Sequence, residues 1–341
     1  MGEYRELKKL NQSLLKEILI SPKEFLEAKR RQETSEKSDQ EHFIFGTMVD
    51  IMLTGTKQEF DDKFFRVADD VKCSDSVKVI TDGVFAEASE DIIPVEDLDK
   101  YPDLIIKHCK YLGYQPKWGD EAKIKAIVAA GTRYFDVLRK GVGKILVSET
   151  EYSNAVSCKV ALQVDSFTRP FVDRKYDADV EFLDKPIVEF ELNGLEIKGE
   201  LDRVVINHAT KFITPIDFKT TGKSIHSFVS DFWYYRYDFQ AATYKTGLPT
   251  HPKIQELIKQ GYDLGPFHYI VVEKSLKNPP LIFVVTPEVH NIGFAGGERS
   301  NGKILDGLTQ ALARYKYAEE NNAWDYPMEY YENNGRVMIE V

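Results

Sequence analysis

Cysteine is scarce, with three residues in a chain of 341. Cys73, Cys109 and Cys158 are odd in number and far apart, which excludes a disulfide framework and leaves no thiolate set for a metal ion or an iron–sulfur cluster. No apolar run approaches the roughly 20 residues that a membrane-crossing helix needs. The opening MGEYRELKKLNQS also lacks the apolar stretch of a secretory signal, so a cytoplasmic location without membrane attachment is expected. After the Met-Gly start the first serine is Ser13, too distant for the myristoylation pattern. Positive charge is in deficit too: 45 Lys and Arg against 55 Asp and Glu give a net charge of −10. That excludes a surface that is basic throughout, as a protein covered by a nucleic-acid footprint would be. A local basic face stays open, because Lys100 to Ser148 holds ten Lys or Arg against four Asp or Glu while 59–99 is acidic.

Apolar material is plentiful. With 43% hydrophobic and 12% aromatic residues, the chain can bury a large core, as one main domain with appendages or as two packed lobes. The pattern divides it into a mainly helical region, 1–148, and a second region, 149–341, that holds the strands. LNQSLLKEILISPKEFLEAKRRQ reads as two helices meeting at Ser21-Pro22. ETSEKSDQE (33–41) is a polar loop. HFIFGTMVDIMLTG predicts a buried helix with Asp50 among apolar neighbours. Residues 56–99 hold strand-like pieces such as VKVIT, 119–147 read as helices with a basic outer face, and 147–167 becomes helical in its later part.

IVEFEL, Asn193-Gly194 and LEIKGELDRVVI make a hairpin with a strong turn signal, and NHATK leads into FITPIDFK, giving an antiparallel meander over 186–221. A two-residue turn at Asn193-Gly194 sets Leu192 opposite Leu195, Phe190 opposite Ile197, Glu189 opposite Lys198 and Val188 opposite Gly199. A second turn centred on Ala209-Thr210 sets Arg203 opposite Ile216, Asp202 opposite Asp217 and Leu201 opposite Phe218. Side chains alternate across a sheet, so one face carries Val188, Phe190, Leu192, Leu195, Ile197, Leu201, Ile216 and Phe218. The other carries Glu189, Glu200, Asp202, Asp217 and Lys219. Further on, SFVSDFWYYRYDFQAATYKTGL turns helical by Gln240 and stops at Gly247, with Gln240 and Tyr244 on one helix face. GPFHYIVVEK and PLIFVVTP are two more buried strands, and a helix spans 303–320.

Two facing carboxylates repel unless a cation sits between them. A hard divalent ion suits the position, since Mg²⁺ takes carboxylate oxygens and keeps waters for chemistry. Lys219 can then orient or activate a water or neutralise a phosphate under attack. Asp, Asp and Lys so arranged are the parts needed for phosphodiester hydrolysis. The plainer reading makes Asp217 and Lys219 a solvated strand pair and Asp202 a surface residue. Elsewhere, His42, His226, His268 and His290 form no ligand spacing, FAGGERSNGK (294–303) lacks P-loop spacing and reads as a surface loop, and FWYYRY (232–237) reads as a buried aromatic anchor rather than a base-stacking platform.

GELDRV (199–204), PIDFKTT (215–221) and QAATY (240–244) together resemble the RecB-like branch of the PD-(D/E)xK nuclease superfamily, with its Gly-x-x-Asp-Arg strand, Asp-x-Lys-Thr strand and Gln-x-x-x-Tyr helix. Within that branch the chain is similar to the phage and prophage RecE-type exonucleases (exonuclease VIII family). Ser13–Phe25 matches their opening helix pair, FIFGTMVD their Phe-Gly-Thr helix, and AWDYP a closing Trp-containing segment; residues 56–140 have no counterpart.

The resemblance implies a mixed α/β fold with a restriction-endonuclease-like core in 149–341 and helical additions at both ends. It implies Asp202, Asp217 and the Phe218 carbonyl as ligands for Mg²⁺, with Mn²⁺ able to substitute, and Lys219 as the catalytic lysine. Gln240 and Tyr244 contact DNA or position these groups, and Glu189 and Glu200 are possible accessory acids. Many relatives have a histidine ligand where this chain has Asp50, which can bind the same ions or serve only as a cap or core residue. The implied activity is a metal-dependent 5′→3′ exonuclease on double-stranded DNA ends in a bacterial or phage-infected cell. It would leave 3′ single-stranded tails for an annealing protein in recombination and work as a homo-oligomeric ring. Another RecB-like nuclease, either an endonuclease or a CRISPR-adaptation type that the missing cysteine cluster disfavours, and a non-catalytic DNA-binding protein are the alternatives.

Overall fold

The computed structural model describes Tyr4 and residues 7–34, 41–91 and 95–336. The chain divides into two compact units, one of Met1–Thr54 with Ser157–Val341 and the other of Gly55–Val156. This corrects the boundary expected near 148. The opening helices belong with the strands of the second half, because Leu14, Leu15, Ile18 and Phe25 share one buried core with Phe190, Ile197, Phe239 and Leu312. Each such side chain contributes roughly 1.5–3 kcal/mol on burial, more than the propensity of a short helix supplies.

In the first unit, α1 (Gln12–Ile20) begins where the Asn11 side chain accepts from the Leu14 amide. Ser21 ends α1 and caps α2 (Pro22–Glu33) through the Glu24 amide, with Pro22 at the first helical position, where its missing N–H costs nothing. Trp324 of the closing segment stacks on Phe25 at 5.7 Å. Residues 35–40 of the expected polar loop lie outside the described residues. Then α3 (Glu41–Thr54) buries Phe45, Met48, Val49, Ile51 and Leu53, as the apolar run around Gly46 predicts.

Strand β1 (Val180–Asp184) continues into β2 (Ile187–Leu192), turns at Asn193-Gly194 and returns as β3 (Leu195–Glu200) and β4 (Arg203–Asn207). Asn193 and Gly194 both take positive φ, 54° and 79°, which this turn demands of its two central residues. The expected register holds from Leu192↔Leu195 through Val188↔Gly199 to Ile187↔Glu200. It resumes as Asp184↔Arg203 beyond the interruption. Across that gap the Lys185 amide donates to the Asp202 carbonyl and the Leu201 amide to the Pro186 carbonyl. One long ribbon is therefore bent at Lys185-Pro186 and Leu201-Asp202 and serves two sheets.

The larger sheet places β5 (Phe212–Thr221) antiparallel to β4, with Arg203↔Ile216 as the last pair. After α4 (Tyr237–Gly247), β6 (His268–Glu273) runs parallel to β5, and β7 (Leu281–Val284) is antiparallel to β6. The result is a mixed α/β fold. Val204–Ile206 and Ile213–Phe218 are all buried, so this sheet is covered on both faces. That corrects the expected division into a core face and an acidic face: Asp202 stands in the bend between strands, and Asp217 is buried within β5. Helix α4 ends at Gly247 as expected, but not through a left-handed glycine. Gly247 is helical, at φ −76°, and a Cβ there would lie 2.5 Å from the Phe190 ring, so glycine is required by close packing.

The helix expected from 303 starts at Leu308, as α5 (Leu308–Asn321). A Cβ on Gly307 would meet the Gly296 amide at 2.4 Å. Before it, Gly297–Glu298 pairs with Ile304–Leu305, so FAGGERSNGK forms a small hairpin where a loop was expected.

In the second unit VKVIT lies in the helix Asp75–Asp91, and its apolar residues at Val77, Ile80 and Val84 face Leu98, Ile105, Ile127 and Phe135. Helical periodicity overrides the β-branched composition that suggested strand. The basic helix Asp120–Lys140 is partly neutralised within its own unit, with Arg133 paired to Asp70 and Arg139 to Asp97. Among the described residues no helix is long and apolar enough to cross a membrane.

Candidate functional site

Asp202 falls in the bend between β3 and β4, one residue past the last ladder pair with β5. The expected Asp202–Asp217 strand pairing is replaced by a side-chain contact, because Asp202 Oδ2 accepts the Phe218 amide at 2.8 Å. The other oxygen, Oδ1, accepts from Lys185 Nζ at 2.7 Å. The same ammonium bonds both oxygens of Asp50, at 2.8 and 2.6 Å, and Thr54 adds a hydroxyl to Asp50 Oδ1 at 3.2 Å. The structure thus brings Asp50 and Asp202 to a common point, and that point is occupied by a lysine.

Asp217 lies in the middle of β5 with 4% of its side chain exposed. Its Oδ1 accepts from Gln240 Nε2 of α4 at 2.9 Å. Its Oδ2, also buried, ion-pairs with Lys219 and takes no further hydrogen bond. The Lys219 ammonium also lies over the Tyr237 ring at 4.7 Å. Tyr269, beside Asp217 on β6, donates its hydroxyl to the Tyr237 carbonyl at 2.7 Å.

Burial pushes the Asp217 carboxyl up to about 7, with Lys219 opposing and Asp202 adding to the rise. Burial and the charge of Asp202 raise Asp50 to about 6. At Asp202 burial acts upward as well, but Lys185 and Lys219 outweigh it and the carboxyl stays below its usual value. Burial pulls Lys219 down, yet Asp217, Tyr237 and Asp202 more than offset it, so the ammonium is held above its usual value. It therefore remains charged at neutral pH. Of the roles open to it, charge neutralisation fits this state and proton abstraction does not.

Gln240 and Tyr244 share one face of α4, as expected, and both are buried. Tyr244 packs on the hairpin: a Cβ on Gly199 would meet its ring at 2.9 Å. The glycine of GELDR thus makes room for the tyrosine of QAATY. Both side chains position the site from inside the fold. The two possible accessory acids are not brought to the cluster. Glu189 pairs with Lys9 at 2.6 Å, and the charge of Glu200 acts on the Tyr4 hydroxyl.

Three further residues, none given a role by the sequence reading, adjoin the site. Lys185 carries no pattern that sequence reading can catch. Arg203 is fully buried and holds Asp184 at 2.6 Å, the Phe171 carbonyl at 3.0 Å and the Leu53 carbonyl at 2.6 Å, which fixes the end of α3 and hence Asp50. The signal for it was the arginine directly after Asp202 in an apolar strand. Lys16 of α1 donates to the Tyr235 carbonyl at 3.2 Å and is lowered to about 8 by burial and by the charge of Lys219, so a second cation flanks Lys219. FWYYRY is divided: Phe232 is buried, whereas Tyr234 is 78% exposed.

Among the described residues no three His, Cys, Asp or Glu side chains stand together as a metal-binding group. Two carboxylates remain, Asp202 and Asp217, joined at the Phe218 amide. That set fits a Mg²⁺-like ion, which is commonly bound by one or two carboxylates with water or substrate phosphate completing its shell. The buried Asp217 Oδ2, which has Lys219 beside it and no further hydrogen bond, is the atom such an ion would engage.

No protein-family model matches the chain, and no curated protein does. Among solved structures it is similar to one described as a "putative exonuclease" from Eubacterium rectale, with a TM-score of 0.33, 12% identity, and coverage of 84% of this chain and 92% of the other.

Proposed function

We propose that the protein is a metal-dependent deoxyribonuclease acting as a 5′→3′ exonuclease on double-stranded DNA ends. The observation that carries the reading is the joining of Asp202 to the β5 backbone beside Asp217, with Lys219 against the carboxylate and Gln240 bonded to its other oxygen. Asp202, Asp217 and the Phe218 carbonyl would hold Mg²⁺ or Mn²⁺. When bound, the ion supplies a polarised phosphate and a water of lowered pKa. Lys219, kept charged, neutralises the phosphate under attack; Gln240 keeps Asp217 oriented; Lys16 adds positive charge nearby.

Polarity, duplex preference and single-stranded 3′ products rest on the resemblance of GELDRV, PIDFKTT and QAATY to the RecE-type exonucleases. A homo-oligomer around DNA and a single-strand annealing partner rest on the same ground. The test is a linear duplex labelled separately at its 5′ and 3′ ends, incubated with Mg²⁺ or Mn²⁺. Loss of the 5′ label first is expected, with activity abolished by EDTA and reduced about 10²–10³-fold or more in Asp217→Ala and Lys219→Ala, which remove a metal ligand and the charge facing the reacting phosphate. Equal cleavage of covalently closed circles would replace the exonuclease reading with an endonuclease one. No metal-dependent cleavage of any DNA would remove the enzyme.

A further inference from the structure

We infer that Lys185 is a resident cation of the site, paired with Asp50 in the position a second metal ion would occupy, so that the protein binds one divalent ion and Asp50 is not its ligand. The inference rests on the metal-dependent reading above.

Three observations carry it. Lys185 Nζ lies 2.6–2.8 Å from three carboxylate oxygens, two of Asp50 and one of Asp202, so one ammonium bridges two acids as a metal ion would. The lysine is also fixed at its backbone. Its amide is bonded to the Asp202 carbonyl, and it holds φ +50° directly before Pro186, where an extended conformation is the ordinary choice. Such a conformation persists where surrounding contacts over-determine it, which marks a built position rather than a side chain that swings aside. Finally, the charges in contact are three carboxylates (Asp50, Asp202, Asp217) against two ammonium groups (Lys185, Lys219). One negative charge is left, and the buried Asp217 Oδ2, paired with Lys219, is not among the contacts of Lys185. That remainder favours one divalent ion on Asp202 and Asp217, its second positive charge left for a substrate phosphate, over two such ions.

The pairing also explains why aspartate stands at position 50. A neutral histidine could not hold a lysine ammonium by charge, whereas aspartate makes the pair neutral at a half-buried position.

Mn²⁺ alone is the probe, counted per chain by electron paramagnetic resonance of the free ion and by calorimetry, with thermal melts to verify folding. Wild type is expected to take one Mn²⁺. Asp50→Asn should bind within about twofold of wild type, Asp217→Asn at least tenfold more weakly, and Lys185→Met should take a second ion at the vacated Asp50–Asp202 position. Two ions in wild type, a tenfold loss in Asp50→Asn, or a single ion in folded Lys185→Met each overturn the inference while the metal-dependent reading stands. Should Lys185→Met fail to fold, wild type and Asp50→Asn decide. Absence of Mn²⁺ binding by every protein overturns both.

Discussion

On the proposed reading, Gln240 orients Asp217 through the hydrogen bond to its Oδ1. A side chain that supports a ligand from behind typically changes activity 10- to 100-fold when removed. Gln240→Ala is expected to fall in that range, with the loss in kcat and little change in KM, read from steady-state degradation of linear duplex. His268, next to Phe171 on the edge of the same packing, offers a pH test. Burial lowers its pKa to about 4, against 6.5 in an unfolded chain. Between those values the unfolded chain takes a proton that the folded chain refuses, so stability falls as pH drops from about 6.5 to about 4 and is unaffected above. Melting temperatures over this window should fall less steeply in His268→Gln. At this scale the sequence was legible where partners are close along the chain or the strand: Asp217 and Lys219 are two apart, and Asp202 followed from a turn count. Lys185 was not, because its contact with Asp50 spans 135 residues and no local pattern announces an ion pair closed by the fold.

The bent ribbon shows how far a register argument reaches. Pairing from Asn193-Gly194 was correct at each predicted position of β2 and β3, since a two-residue turn fixes the count and the apolar face fixes the side. It could not foresee the bend, because Lys185-Pro186 interrupts pairing through backbone conformation rather than composition. The helix over VKVIT was missed for a related reason: β-branched residues weigh against helix locally, and only the core they join decides. Arg203 ties these elements together. Its replacement by alanine leaves the Leu53 and Phe171 carbonyls without their donor and strips Asp184 of its buried partner. A loss of about 3–5 kcal/mol is expected, measured as a lower urea midpoint, and Arg203→Lys should recover only part of it because an ammonium cannot reach three acceptors in one plane.

For the whole molecule, the division into Met1–Thr54 with Ser157–Val341 and Gly55–Val156 was illegible because no linker composition marks it. The chain leaves the first unit after α3 and re-enters it inside a helix, Glu149–Val164, so a reading that seeks polar or glycine-rich joints finds none. The overall class was legible, since the strands read over 186–221 and in GPFHYIVVEK and PLIFVVTP, with helices before, between and after them, already define mixed α/β.

One consequence of β5 lying between β4 and β6 with both faces covered concerns time rather than geometry. Amides there can exchange with solvent only through large openings, whereas the far end of the ribbon near Asn193 opens locally. Deuterium uptake followed by mass spectrometry should therefore be slowest for peptides spanning 213–218 and 269–272 and fast for 191–196. The step between the two regimes is expected at Lys185 and Asp202. The site would then stand at a border between slow and fast backbone, with one aspartate anchored in the slow part and its lysine at the edge of the fast one. Uniform uptake along the ribbon would show instead that the bend does not separate the two sheets in motion.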